Sequence, residues 1–438
     1  MGHQQHHQPR NQQRRTSSTT DPRRPVPGVP ALCPALSTSG SQPAIAVVGG
    51  SLTGPAIALL LLDAGFDRVG VYEAVPAAAP QHGGLITLEH SALDILDGIG
   101  VDQDEFVKYP TETIKQIAVR DRKAADTVAR TYPGRLTTWT LLHRALMARV
   151  PAEVVHTGRR VTGLTEHHEQ HHGQHHAQHN RQHNGQHPGH QGGRPVLRFA
   201  DGSEKCVDLV VFADGRSSVG RTLLDPGRTL RYAGYVAHRG AAPGCPHDLV
   251  DFLRFEPCPG VQFNVAPVPG AADWTFYLNA TADQYTASFG APPARRTFAL
   301  PQHVSAAART HVDASAEQYL PADQAAIVHT TTTRMAVPVM DIDPPTQMAW
   351  PVGAGYAVLL GDALAPVRPH TARGANNGIE QAAGLVAALH QHRKYGADLA
   401  GALNGWQRRH LPTAVAAVRL GPVIGARLGL GSHTAAMS

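Results

Sequence analysis

An α/β fold in two parts is predicted, from three stretches of a 438-residue chain. An apolar run, a glycine turn and a second apolar run near residues 44–73 make a β-α-β unit. Alternating apolar and polar residues between about Leu230 and Thr333 make an antiparallel sheet. A strand near Ala357–Leu360 then returns the chain to the α/β layer, followed by an alanine-rich segment and closing helices. The expected division is residues 44–228 with 348–395 as the α/β part, 229–347 as the sheet part, and 396–438 as C-terminal helices.

The elements follow in order. Residues 1–43 are rich in Gln, His, Arg, Ser, Thr and Pro, with few large apolar groups to offset ordering entropy, and read as a disordered extension. Strand Ala44–Val48 leads through Gly49-Gly50-Ser51-Leu52-Thr53-Gly54 into a helix from about Pro55 to Ala64, then strand Val69–Glu73. Pro55 suits the first helical turn, where its missing N–H costs nothing, and Gly65 suits the exit. Short helices are expected at Ser91–Ile99 and Trp139–Val150. Residues 167–191 alternate His with Gln, Gly and Asn without apolar period, so they read as a disordered insert. Strands are expected at Val207–Phe212, Gln262–Val268 and Trp274–Asn279, and helix at Gly378–His390 and Leu399–Val418.

Composition removes several function classes. Of the net charge of +5, five arginines against Asp21 in residues 1–43 supply +4, leaving no body-wide basic face for a nucleic-acid backbone. Residues 44–62 are uncharged, yet Gly49, Gly50, Gly54 and Pro55 punctuate them, which argues against a membrane span. The four cysteines form no C-x-x-C pair, so no disulfide framework or cysteine zinc site is expected, and a cytoplasmic location fits. Imidazoles of the His-rich insert suit nickel, zinc or copper, but a repetitive segment offers no fixed geometry or supporting shell, and no metal site is assigned.

The turn at Gly49–Gly54 is a variant of G-x-G-x-x-G placed between strand and helix, where free N–H groups meet a pyrophosphate. Ser51 replaces the middle glycine and brings a hydroxyl. Glu73 closes the second strand, where an acidic side chain accepts from both hydroxyls of an adenosine ribose. This pattern points to a dinucleotide without separating NAD from FAD. Two later segments do: Ala213-Asp214-Gly215-Arg216 through Arg221 after one strand, and Gly361-Asp362-Ala363, Arg368-Pro369-His370-Thr371, Gly374 and Asn376 after another.

Together, and in this order, these elements resemble the flavin-dependent aromatic hydroxylases, the p-hydroxybenzoate hydroxylase-like single-component monooxygenases, over roughly Ala44 to His390. TTWTLLHRAL at Thr137–Leu146, RYAGYVAHRG at Arg231–Gly240 and RPHTARG at Arg368–Gly374 resemble the branch typified by 2,6-dihydroxypyridine hydroxylase.

The resemblance implies a Rossmann-like FAD-binding domain with an inserted antiparallel β-sheet substrate domain. It implies an enzyme that uses FAD, with NADPH or NADH as transient co-substrate, to hydroxylate a small aromatic substrate with dioxygen through a flavin hydroperoxide. Cofactor contacts are implied at Gly49, Gly50, Ser51, Leu52, Thr53, Gly54, Glu73, Val161, Asp214, Gly215, Gly361, Asp362, Thr371, Gly374, Ala375 and Asn376. The family's arginine near the start of the 139 helix is Trp139 here, with Arg144 available one turn later. His238 replaces a tryptophan common in the branch. Arg368 is either a substrate clamp or an ion-pair partner, and His370 either a proton relay at the flavin or a satisfied loop residue.

Phe252, Phe255, Phe263, Trp274, Phe276 and Tyr277 either line an aromatic pocket or fill the sheet's core. Alternatives on the same scaffold are an epoxidase or a Baeyer-Villiger-type oxygenase; one of another class is a metal-buffering protein using the His-rich tract. A monomer or homodimer is expected.

Overall fold

A computed structural model describes residues 42–77, 83–166 and 193–431. The extension at 1–43 therefore lies outside the described residues except for its last two, and the His-rich insert lies wholly outside. The described residues all fall in one compact unit.

Two sheets organise them. A six-stranded sheet runs Ala349–Val352, Gly355–Leu359, Leu209–Phe212, Ile45–Val48, Val69–Tyr72, Val155–His156, with only the first pair antiparallel. Its central strands are buried throughout, as parallel strands covered on both faces must be. The uncharged run at 44–62 is thus a core strand, the glycine turn and a helix, Thr53–Asp63, with seven buried residues. No helix among the described residues is long and apolar enough to cross a membrane.

The seven-stranded sheet runs Arg334–Asp341, Arg231–Pro243, Ala271–Asn279, Val261–Val268, Phe252–Cys258, Thr113–Arg120, Lys123–Thr131. Two features differ from the sequence expectation. The hairpin 113–131 falls inside the 44–228 span yet pairs, in parallel, with Phe252–Cys258, a long-range pairing that no local pattern announces. And the stretch to Thr333 is not all strand: after Asn279 come helices Ala282–Phe289, Ala306–Tyr319 and Ala322–His329. Thr281 and Ser305 cap the first two, each side chain accepting from a backbone N–H three residues on.

Those helices cover one face of the sheet. Phe255, Phe263, Trp274 and Phe276 point to that side and pack with Val312, Ala316, Leu320, Ala325 and Val328, and Trp274 Nε1 donates to Thr331 Oγ1 at 2.8 Å. Strand alternation sends the intervening residues the other way. Four of the six aromatic residues considered as pocket lining are therefore core, and the opposite face carries Tyr277 with Gln262, Asn264, Asp273 and Thr275. His238 also lies on the helix side, 6.0 Å from the Phe289 ring.

The last helix, Leu399–Arg427, extends beyond Val418 and accommodates Pro412 and Pro422 within it. Residues 432–438 lie outside the described residues.

Candidate functional site

The three glycine-containing motifs converge at one end of the six-stranded sheet. Gly49 has φ +108°, and a Cβ there would stand 2.5 Å from the Ala213 carbonyl oxygen, so the first motif touches the second. A Cβ on Gly54 would collide with the Gly49 carbonyl oxygen. The turn therefore closes only because both positions lack side chains. Thr53 meets the third motif, since a Cβ on Gly361 would lie 3.1 Å from its Oγ1 and one on Gly378 would collide with it. Arg221 ties the second motif to the third by donating to the Ala363 carbonyl at 2.8 Å.

Around this junction each expected residue has a defined place. Glu73 accepts from the Gly50 N–H at 2.6 Å and from the Val75 N–H at 2.7 Å, so the acid at the strand end also shapes the glycine turn. Leu52 and Val161 are buried in the apolar core. Trp139 Nε1 donates to Ser51 Oγ at 3.0 Å; the hydroxyl that replaces the usual glycine is thus held by the indole that replaces the usual arginine. Arg144 is exposed.

Asp214 is spent on a helix start. It accepts from Ser218 Oγ at 2.5 Å and the Val219 N–H at 2.7 Å, beside Gly215 at φ +74°. Burial raises its carboxyl above the usual range, with the Ser218 and backbone bonds opposing.

Asp362 contrasts with it. Its carboxylate accepts no hydrogen bond among the described residues; burial raises it, and Arg216 then Arg221 oppose that shift. It faces Gly374, where a Cβ would come within 3.4 Å of Oδ1. Gly374 begins the 22-residue helix Gly374–Tyr395, which no side chain caps at its start, so the first-turn amides, those of Gly374, Ala375 and Asn376, lack the usual acceptor. Asn376 instead fixes the helix: Oδ1 accepts from the Glu89 N–H at 2.8 Å, and Nδ2 donates to the Ala372 carbonyl at 2.7 Å.

The segment leading into this helix is bent. Ala372 adopts φ +57°, unusual for a residue with a Cβ, and Thr371 Oγ1 braces the bend by donating to the Arg368 carbonyl at 2.9 Å. Of its two readings, Arg368 takes the ion pair: Nε and Nη2 each meet Asp341 at 2.6 Å, while Nη1 is buried without a partner among the described residues. His370 lies against the polar side of the seven-stranded sheet, its ring 4.5 Å from Tyr277. Its Nε2 is buried without a partner among the described residues. Burial first, then Arg254 and Arg368, push its pKa down to about 3, so the ring is neutral near pH 7 and serves as a hydrogen-bonding group rather than a base.

His238 is likewise pushed down to about 3, by burial and then by His311 and Arg334. Both imidazoles titrate near 6.5 when unfolded, so between that value and about 3 the unfolded chain binds more protons and stability falls as pH falls. Urea midpoints should drop between about pH 7.5 and pH 5.5, with His238→Phe removing roughly 1 kcal/mol of that loss. Equal pH slopes for the variant and the parent chain would show His238 to be uninvolved.

Sequence reasoning missed several residues here. His143 Nε2 contacts the Gly50 carbonyl at 3.0 Å and its ring stacks on Trp139 at 4.5 Å, an i,i+4 pair on one helix face that the spacing alone could have flagged. Arg239 and Asp273 hold the strand Leu85–Glu89 from the sheet, Arg239 donating to the Leu85 carbonyl at 3.3 Å and Asp273 accepting from its N–H at 3.4 Å. Arg254, Gln262 and Asn264 were also missed; their signal was a polar residue at every second position of otherwise apolar strands.

The residues present fit FAD: a turn stripped of side chains where a pyrophosphate must approach, an unengaged carboxylate at Asp362, and an uncapped helix start beside it. Among the described residues, no group of His, Cys, Asp or Glu could hold a metal ion.

The fold is shared with solved structures of FAD-dependent aromatic hydroxylases, and the chain is similar in sequence to aromatic-ring monooxygenases. It is 28% identical to a 6-hydroxynicotinate 3-monooxygenase of Bordetella bronchiseptica over 80% of this chain and 83% of that protein. It is also 28% identical to a 3-amino-4-hydroxybenzoate 2-monooxygenase of Streptomyces cremeus, over 79% and 78%. The solved structure of 2,6-dihydroxypyridine-3-hydroxylase from Arthrobacter nicotinovorans superposes with a TM-score of 0.74 at 23% identity, covering 89% of this chain and 94% of that one. No family model matches the sequence.

Proposed function

We propose that the chain is an FAD-dependent monooxygenase that uses NADH or NADPH and dioxygen to hydroxylate a small aromatic or heteroaromatic ring. The observation that carries this reading is the meeting of the three-motif junction with a buried, polar sheet face across the segment 368–374. One side suits a dinucleotide; the other suits a planar ligand with a few polar substituents.

What FAD supplies when bound is acceptance of a hydride from the nicotinamide and activation of dioxygen. In balance, one ring C–H becomes C–OH, and the second oxygen atom leaves as water, taking the hydride equivalent of NAD(P)H and one proton from solvent. The chain's own tasks are positional. The amides of Gly374, Ala375 and Asn376 offer donors and the positive end of a helix dipole to negative charge on the cofactor. Asp362 accepts from its hydroxyls, and the turn at Gly49–Gly54 with Glu73 takes the adenosine end. His370, neutral and partnerless at Nε2, offers a hydrogen bond that orients a ring hydroxyl. The sheet's buried face keeps water from the reacting carbon.

Purification and a visible spectrum test the cofactor, and NAD(P)H consumption with and without added hydroxylated rings tests the turnover. The expected result is a yellow protein whose NAD(P)H oxidation accelerates with a ring compound, and whose product carries one atom from labelled dioxygen. A colourless protein that does not take up FAD would overturn the proposal.

A further inference from the structure

Ser51 stands beside the start of the helix Thr53–Asp63, yet its hydroxyl does not cap that helix. No side chain accepts there, and Pro55 brings no N–H to the first turn, so the amides of Thr53 and Gly54 lack the usual acceptor. A serine oxygen commonly takes an N–H two or three residues on, which from Ser51 means Thr53 or Gly54. Here the oxygen is held elsewhere: Trp139 Nε1 donates to Ser51 Oγ at 3.0 Å. The carbonyl before it is diverted in the same way. Gly50 O lies 3.0 Å from His143 Nε2, and since a carbonyl only accepts, that nitrogen carries the proton.

Both donors come from one helix, Trp139–Met147, and their rings stack with centroids 4.5 Å and planes 11° apart, one turn from each other. The strand entry grips Trp139 from its other side. The Trp139 N–H donates to the Gly84 carbonyl at 2.9 Å, and a Cβ on Gly83 would collide with the Trp139 side chain. Thr140 Oγ1 donates to the Gly83 carbonyl at 3.1 Å. The indole is therefore fixed where it meets Ser51. An anion reaching the glycine turn is held by amides and repelled by oxygens, and two of the turn's oxygens, Gly50 O and Ser51 Oγ, are bound to the rings instead.

We propose that Trp139 is a positioning residue for the cofactor. By holding the Ser51 oxygen it stops that serine from capping the helix itself and keeps the amides of Thr53 and Gly54 open to a pyrophosphate, while His143 holds the Gly50 carbonyl aside. The inference rests on the cofactor half of the monooxygenase reading and says how this chain manages without the motif's middle glycine.

The test titrates FAD and ADP into the full chain stripped of flavin, FAD followed by quenching of its fluorescence and ADP by calorimetry. Trp139→Phe keeps the stacked ring and loses the N–H; it should bind both ligands about ten-fold more weakly, the size of one competing cap. Ser51→Ala removes the competing oxygen, so Trp139→Phe combined with Ser51→Ala should regain most of that loss. His143→Phe, which keeps the stack but not the bond to Gly50, should also weaken both ligands and gain nothing from Ser51→Ala. Far-ultraviolet circular dichroism and the melting temperature without ligand check the fold of each variant. Trp139→Met, a more adaptable filler, takes the place of Trp139→Phe should that variant not fold.

Parental affinity in the Trp139 variant would overturn the inference. So would a loss that Ser51→Ala leaves in place, because the indole would then act through packing alone. Failure of the underlying reading looks different: the parent chain would bind ADP, with the same order among the variants, but take up no FAD. A parent chain that binds neither ligand would overturn both.

Discussion

Gly54→Val should yield a protein that does not hold flavin. The added Cβ would collide with the Gly49 carbonyl oxygen, which is backbone and cannot swing aside, so either the glycine turn opens or the helix Thr53–Asp63 moves off its strand. Either movement displaces Thr53 from Gly361 and Gly378 and separates the first motif from the third. The expected cost is at least about 1–3 kcal/mol, typical of an overfilled site, before any loss of cofactor. Gly98→Ala is the control, because a Cβ there meets nothing within 4 Å and its helix should tolerate or welcome it. Thermal unfolding with and without added FAD separates the two effects. The parent chain and Gly98→Ala should rise in melting temperature with FAD; Gly54→Val should not. A flavin-replete Gly54→Val would mean that the turn is not where the cofactor binds.

Asp341→Ala should be the most destabilising substitution outside that turn. It removes both acceptors of Arg368 and leaves a buried guanidinium with no counter-charge, a loss of about 3–5 kcal/mol in comparable buried pairs. Arg368→Met should cost less, since it also removes the charge, and Asp341→Ala with Arg368→Met should recover much of the loss. Chemical denaturation of the three variants measures this. If the double variant were as unstable as Asp341→Ala alone, the damage would lie in packing rather than in the unpaired charge. The guanidinium also lies 5.4 Å from the Tyr235 ring and against Gly425 in the last helix, so the pair braces the loop that carries His370 from two sides.

The parts of this arrangement that were readable from the chain are those whose cause is local. Gly49, Gly54 and Glu73 announce themselves because a strand, a turn and a helix must be joined within a few residues. The strands at 261–268 and 271–279 were readable because their alternation is regular. What was hidden depends on residues far apart in sequence. The 113–131 hairpin gives no sign that it will pair with 252–258, and helices Ala306–Tyr319 and Ala322–His329 have weak amphipathic contrast because most of their buried positions are small or polar: Ala308, Ser315, Ala316, Gln324 and Ala325. Of the two readings open for the aromatic residues, Phe255, Phe263, Trp274 and Phe276 take the core; spacing gives the two faces of a strand without saying which one meets helices. Arg254 was invisible for another reason: whether an arginine is neutralised is a property of its surroundings, and only folding supplies them.

The seven-stranded sheet keeps its two obligations on opposite sides. Cohesion comes from Phe263, Trp274 and Phe276 against the helices, and Gln262, Asn264 and Arg254 contribute little to it. Residues on the second side carry less of that packing, so a library limited there to uncharged side chains of similar size should retain more well-folded, flavin-loaded members than one built at the aromatic positions. The same library built at the three aromatic positions should mostly precipitate.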